Sequence, residues 1–320
     1  MKIGLIDVDG HNYPNLALMR ISAYHKAMGN EVEWWSGAGA YDIVYKSKIF
    51  SDAYSPDVPD PENTDLVIKG GTGYAITLVN GQEVFAQDKH EDLAPEIEAM
   101  RPDYSIYPQY EFAVAMTSRG CPRNCAFCHV TQKEGCISHK VADVSDFWIG
   151  QKVIHCCDPN ILACKDRELL LEQYASTNAR IEFNQGLDIR FMTESIAKRL
   201  AGMKLYKPHF AWDKPDDDLL PRFKTYAEIK GVKPTAHGTA GIVYCLTNFE
   251  DCSDEDHVAR ALMRIYALRA LGYAPYIMIY NKPSASRLIR RLQRWCNNRI
   301  IFYSNPDFYT FLKTFYKGDK

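Results

Sequence analysis

The first 80 residues alternate strand-length apolar runs with one helical stripe. IGLIDV (3–8) is a short apolar run that ends in acidic residues, and EVEWW (31–35), YDIVYKSKIF (41–50) and DLVIKGG (65–71) are three further strand candidates. Between the first two, Leu16, Met19, Ala23 and Ala27 recur on one face at helical spacing. Pro14 suits a first turn and Gly29-Asn30 an exit, which predicts a helix over 14–29. Strand–helix–strand order in so short a span predicts a small Rossmann-like parallel sheet over residues 1–80. Residues 81–110, with Pro95, Pro102, Pro108 and mixed charge, read as a linker that wraps the surface.

From Phe112 a second rhythm begins. FAVAMTS (112–118), KVIHCC (152–157), RIEFNQG (180–186), PHFAWD (208–213), AGIVYCL (240–246) and APYIMIY (274–280) are strand candidates. Helix-like segments separate most of them, including 168–175, 194–202 and 255–272. Six strands at roughly 30-residue spacing predict a (βα)6 partial TIM barrel over 111–285, followed by a C-terminal helical extension over 286–320. The fold class is thus α/β. In such barrels the chemistry gathers where the strands end, and these strands run into Asp158 and Asn160, then Asn184, Gln185 and Asp188, then Asp213, then Thr247 and Asn248.

Composition narrows the classes. The chain is 46% hydrophobic and 24% charged with a net charge of −2, which makes no electrostatic case for nucleic acid or an anionic membrane as the main partner. MKIGLIDVDG is interrupted by aspartates too early for a signal or transit peptide, and the longest apolar runs are strand-sized, so no membrane span is expected. The expected location is cytoplasmic. Ten cysteines in a reducing compartment then suggest metal binding or catalysis rather than disulfides.

The densest group is CPRNCAFCHV (121–130), which sets three cysteines and a histidine in ten positions. Cys125-x-x-Cys128-His129 has the spacing of haem attachment, but no export signal accompanies it and Cys121 would be left over. A zinc site needs a second ligand pair, for which Cys136 with His139 or Cys156 with Cys157 are the candidates; the adjacent Cys156 and Cys157 lack the usual two-residue gap. Cys121 and Cys125 flank the polar turn Pro122-Arg123-Asn124, which argues against three merely packed cysteines. Three thiolates on a loop after the first barrel strand, capping three corners of a cubane cluster, fit best.

This stretch resembles the CxxxCxxC signature of the radical S-adenosylmethionine (SAM) superfamily, including the aromatic residue before the last cysteine, and the resemblance spans about residues 110–285. It implies that Cys121, Cys125 and Cys128 ligate a [4Fe-4S] cluster whose fourth iron binds SAM. Phe127 would pack by the adenine. Where the family has a Gly-Gly-Glu-like segment this chain has Cys156-Cys157-Asp158-Pro159-Asn160, so Asp158 or Asn160 is the candidate for the SAM amino group. Arg190 is the candidate for its carboxylate and Asp213 for the ribose hydroxyls; Gln185 and Asn248 join the cofactor-binding candidates, while Asn184 and Asp188 are assigned to substrate. A flavodoxin- or ferredoxin-like electron donor is implied as partner.

The first 80 residues, with GGTGY (70–74) after a strand, resemble the cobalamin-binding domain that precedes the barrel in one branch of that superfamily. In place of that domain's Asp-x-His-x-x-Gly segment the loop reads D-V-D-G-H-N-Y-P-N, with His11 two residues after Asp9 and Pro14 where glycine would stand. About 80 residues is small for burying a corrin, so no cobalamin is expected. If the domain docks as in that branch, Asp9, His11 and Asn12 become substrate candidates; the alternative is that the loop only caps the first helix through Asn12. Arg287, Arg290, Arg291 and Arg294 share one helical face, read as solvated with RNA contact as the alternative. Asp216-Asp217-Asp218 reads as a helix start, and Trp34-Trp35 as packing between domains. Low net charge and compactness favour a small polar substrate, such as a deazaguanine of the queuine type, over RNA; a zinc or iron–sulfur module without turnover is the alternative of another class.

Overall fold

Apolar alternation in KIGLID forms strand β1 (Lys2–Asp7), the centre of a parallel sheet with β2 (Glu31–Trp34), β3 (Tyr41–Ser47) and β4 (Thr64–Gly70) in the order β2-β1-β3-β4. This is the doubly wound order in which the chain reverses direction between β1 and β3, the place where such sheets open a crevice at their carboxyl ends. The computed structural model describes residues 1–80, 82–233 and 240–316. Residue 81 of the expected linker and residues 317–320 of the expected extension lie outside the described residues. The chain divides into two compact units, Met1–Pro159 and Asn160–Lys320.

In the first unit helix α1 (Leu16–Ala27) covers the sheet. It is capped by Asn15, whose side chain accepts from the Leu18 amide at 3.2 Å, and not by Asn12; Pro14 stands just ahead of the cap. Ile3, Leu5, Leu18, Met19 and Ile21 form its core. No helix crosses back between β3 and β4. Instead Lys46, a buried strand residue, reaches the Asp57 and Asp60 carboxylates at 2.9 and 2.8 Å and pins the connecting loop. Beyond the short helix α2 (Thr72–Ala75), the segment expected to be a surface linker does more than connect. It holds β6 (Gln82–Phe85), which pairs antiparallel with the preceding β5 (Ile76–Val79), and the helical turn α3 (Pro95–Glu98). It also sends Ile97, Ile106 and Tyr107 into the sheet's core. Trp34 likewise stays inside this unit, edge-on to Tyr107 with its Nε1 donating to the Ile106 carbonyl at 3.1 Å.

The unit continues with β7 (Phe112–Ala115), the short antiparallel pair β8 (Ser118–Arg119) and β9 (His139–Lys140), α4 (Val130–Glu134), and β10 (Val153–Cys156), which runs parallel to β7. The second unit carries α5 (Arg167–Ser176), β11 (Arg180–Phe183), α6 (Glu194–Gly202), β12 (His209–Ala211), α7 (Leu220–Ile229), β13 (Ile242–Thr247), α8 (Asp254–Ala270) and β14 (Ala274–Ile279). Its strands β12, β13 and β14 pair in parallel. The sequence of β7 and β10–β14 with intervening helices is that of a (βα)6 partial barrel following a Rossmann-like sheet, as the apolar rhythm predicts. Helices α9 (Arg287–Asn297), α10 (Arg299–Ser304) and α11 (Phe308–Phe315) close the chain around Trp295, Phe302 and Phe308. Asp216–Asp218 does not start a helix: α7 begins at Leu220 with Leu219 as its cap, and the three aspartates occupy the turn before it.

Asp7 ends β1 almost buried, accepting from the Tyr107 hydroxyl at 2.7 Å, and desolvation raises its carboxyl to about 6. The fold therefore favours the protonated acid. Its contribution is present below the ordinary carboxyl range near pH 4 and is lost as pH rises through about 6, an effect of about 3 kcal/mol from one residue. Asp7→Asn is expected to flatten this slope: in thermal melts the variant loses less stability than the wild type between pH 4 and 7.

Candidate functional site

Asp158 is the buried anchor of the first unit's chemistry-bearing loops. It follows β10, and its carboxylate accepts from the Thr117 amide at 3.1 Å, the Thr117 hydroxyl at 2.8 Å, the Ser118 amide and the Cys156 thiol at 2.8 Å. These bonds reach from the end of one parallel strand to the end of its neighbour, so a single carboxylate sets where β7 hands over to the segment bearing Cys121. Charge-assisted bonds of this kind are about twice as strong as neutral ones.

The cysteine loop is a closed excursion. Ser118 and Arg119 pair with Lys140 and His139, which zips its two ends together. Gly120 has φ +82°, and a Cβ there would stand 2.2 Å from the Ile137 carbonyl oxygen, so only glycine turns the chain at this point. The Cys121 amide then donates to the Gly135 carbonyl at 3.1 Å and the Thr131 hydroxyl to the Cys121 carbonyl at 3.2 Å. Asn124 takes the left-handed conformation at φ 44°, and the Cys128 amide donates to the Cys125 carbonyl at 3.0 Å. Cys121 and Cys125 are half-buried and Cys128 is exposed, in contrast to the buried Cys156, Cys164, Cys245 and Cys296. Phe127 is half-buried between its two cysteines. His129 turns aside: its ring stacks on Phe85 at 6.1 Å and its Nε2 lies 3.9 Å from Glu83. Soft thiols, three within eight residues on a turn-rich loop, are the donor chemistry of an iron–sulfur cluster. Among the described residues no three His, Cys, Asp or Glu side chains are gathered as a single-ion site.

The loop after β1 is tied down within the same unit. Asp9 accepts from the Ile49 and Phe50 amides at 2.5 and 3.2 Å, and His11 sits edge-on to Trp34 with ring centroids 4.1 Å apart. Asn12 is exposed. Tyr13, which pattern reading passes over, meets His155 Nδ1 at 3.0 Å and Cys157 Sγ at 3.8 Å, and His155 lies flat on Phe112 at 3.9 Å. Burial pushes the Cys157 thiol up to about 11, so it stays protonated at neutral pH.

In the second unit the strand ends form a polar rim with its own supports. Asn160 is buried; it caps the turn at 161–163 and donates to Asp188 at 3.2 Å. Arg190 is held between Asp188 at 2.7 Å and Asp217 at 2.9 Å, so two of its donors are engaged within the protein. Asn184 is half-buried and Gln185 exposed, and Asn248, at φ 63°, donates to the Tyr280 carbonyl at 3.0 Å. Burial raises the Asp213 carboxyl despite Arg190 and Arg264 nearby. Beneath it, Arg264 of α8 is fully buried and donates to the carbonyls of Trp212, Asp213 and Leu246 at 2.6, 3.0 and 2.9 Å, holding the ends of β12 and β13 together. An arginine inside the buried stripe Val258, Ala261, Leu262, Ile265, Leu268 was the available signal for this role.

Among solved structures the chain is similar to a radical S-adenosylmethionine methyltransferase, TsrM from Kitasatospora setae, determined with its tryptophan substrate and a SAM analogue. The TM-score is 0.60, with 12% identity over 86% of this chain and 72% of that one. At this identity the likeness establishes the fold. No protein-family model and no curated protein matches the sequence.

Two sets of variants test these supports. Asp158→Asn sets an amide N–H₂ against donors and is expected to cost about 3 kcal/mol in urea unfolding, and Gly120→Ala, strained in φ and blocked by Ile137, about 2 kcal/mol. Arg264→Met, which packs but cannot donate, is expected to cost about 3 kcal/mol, whereas Arg260→Met on the exposed side of α8 costs less than about 1 kcal/mol.

Proposed function

We propose that this protein is a radical SAM enzyme: Cys121, Cys125 and Cys128 hold a [4Fe-4S] cluster, and SAM is its second cofactor. The observation that carries the reading is the cysteine loop, a CxxxCxxC segment launched from the end of β7 by the Asp158 clamp and zipped shut by β8 and β9, within a fold shared with a radical SAM methyltransferase. Bound there, the cluster would supply the electron that cleaves the SAM sulfonium and starts hydrogen abstraction from substrate. The chain's own part is to hold three thiolates on a fixed turn and to leave no fourth cysteine in the loop's spacing. For SAM, the groups at the second unit's strand ends are the candidates: Asp213 for the ribose hydroxyls, and Gln185 and Asn248 after their own strands. Arg190 enters as a weaker candidate for the carboxylate, since Asp188 and Asp217 already occupy its guanidinium. A flavodoxin- or ferredoxin-like protein would deliver the electron.

Within this class we infer a small polar substrate, and a deazaguanine such as queuine, cleaved in a lyase reaction, is the first to test. What favours a small molecule over RNA is the use made of the arginine face on α9. Arg290 donates to the Lys282 and Pro283 carbonyls, Arg291 covers the Tyr316 ring at 4.1 Å and Arg294 meets the Tyr316 hydroxyl at 3.2 Å, so part of their donor capacity is used within the unit.

The test is anaerobic reconstitution with iron and sulfide, reduction, and chromatography for 5′-deoxyadenosine. Wild-type protein is expected to form it from SAM and Cys125→Ala is expected to fall to background. Protein that takes up iron yet leaves SAM intact is a binding module without turnover. Deuterium from labelled queuine appearing in deoxyadenosine supports the substrate; its absence with SAM still cleaved removes the deazaguanine and leaves the enzyme class standing.

A further inference from the structure

A cavity of about 220 Å³ lies within the first unit, and no cysteine lines it. It is bounded by α1, the carboxyl ends of β3 and β4, the Gly70-Gly71 turn and residues 90–93, and Met116, Arg119 and Lys133 also reach it. Its volume is that of roughly seven liquid waters at about 30 Å³ each, the size of a one- or two-ring molecule. The walls are mostly apolar, with Ile21, Ile49, Ile68, Leu93 and Met116 among them.

Two buried polar side chains in this wall have nitrogens without a hydrogen-bond partner. The His90 side chain is 6% exposed, and neither ring nitrogen makes a hydrogen bond; Asp92 Oδ1, at 3.5 Å from Nε2, is out of line for one. Arg20, with a side chain 5% exposed, has no partner at Nε. A buried polar group left unbonded costs about 1–3 kcal/mol, so a ligand offering a partner recovers that cost on binding. The charges around the cavity, by contrast, already cancel. Arg20 and Arg119 share Glu98, Arg119 faces Asp92 at 3.9 Å, Lys133 faces Glu134 at 3.6 Å, and Lys46 and Lys69 are drawn to Asp60. Nothing there calls for an anion. Burial and the Lys133 charge lower the His90 pKa, which leaves a neutral imidazole with one donor and one acceptor.

We propose that this cavity is a binding site for an uncharged, flat heteroaromatic molecule of one or two rings, its body against the isoleucines and its polar edge against His90. Gly71 and Gly73 keep the adjoining turn close to β3. A Cβ at either would stand 2.3 or 2.2 Å from the carbonyl oxygens of Lys48 and Phe50, so the wall at this corner is backbone held in one position. The site is independent of the iron chemistry proposed above and is tested without it.

The probes are indole and 7-deazaguanine, with toluene as a ring lacking a polar edge and benzoate as an anion. They are titrated into the full-length protein and followed through the methyl resonances of Ile21, Ile68 and Met116 by NMR. Indole or 7-deazaguanine is expected to shift these methyls saturably, about tenfold tighter than toluene, with benzoate weaker still. His90→Phe is expected to erase the advantage over toluene, and Leu93→Trp to block every probe. Because the methyl readout is made on wild-type protein, it stands even where a variant does not fold. The proposal is overturned if neither heterocycle moves these methyls, if toluene binds as tightly as indole, or if benzoate binds tightest.

Discussion

One carboxylate holds together the part of the first unit that matters most. Two parallel strands, β7 and β10, end side by side, and the chain must leave both ends without exposing unpaired amides to a buried rim. Asp158 meets that constraint by taking two amides, a hydroxyl and a thiol onto one group. The position of Ser118 follows, and from it the turn at Gly120 and the register of the β8–β9 pair. The cysteine loop is therefore placed by bonds that none of its cysteines makes. Asp158, a cofactor-contact candidate from its place after a strand, thus also carries the bonds that set this loop.

The second unit solves a related problem with positive charge. Parallel strands converge their carbonyl ends, and Arg264 collects three of those carbonyls in a buried position where only a group with several donors could satisfy them. Arg190 then joins Asp188 and Asp217 at the rim above. Burial raises the Asp213 carboxyl at this rim, and Gln185 is exposed to solvent.

Much of this was legible in the sequence. Every strand expected from its apolar run is present among the described residues, from β1–β4 to β7 and β10–β14. The helix over 14–29 shortens to 16–27, since Pro14 precedes the cap and Asn15, not Asn12, supplies it. What pattern could not show is which polar residue turns inward. Asp158 and Asp213 look alike after their strands, yet one binds backbone and the other does not, and the choice depends on neighbours 41 positions away in the chain, as from Thr117 to Asp158. The segment 81–110 misled for a related reason: prolines and mixed charge suggested a surface path, while Ile97, Ile106 and Tyr107 carry it into the core.

The central claim is that the loop at 121–128 carries a cluster with one iron open to SAM. Electron paramagnetic resonance of the reconstituted, dithionite-reduced protein tests it most directly. The account predicts a spin-one-half signal whose g values move when SAM is added, and its loss in Cys128→Ala. A signal indifferent to SAM, or one that survives in that variant, would contradict it.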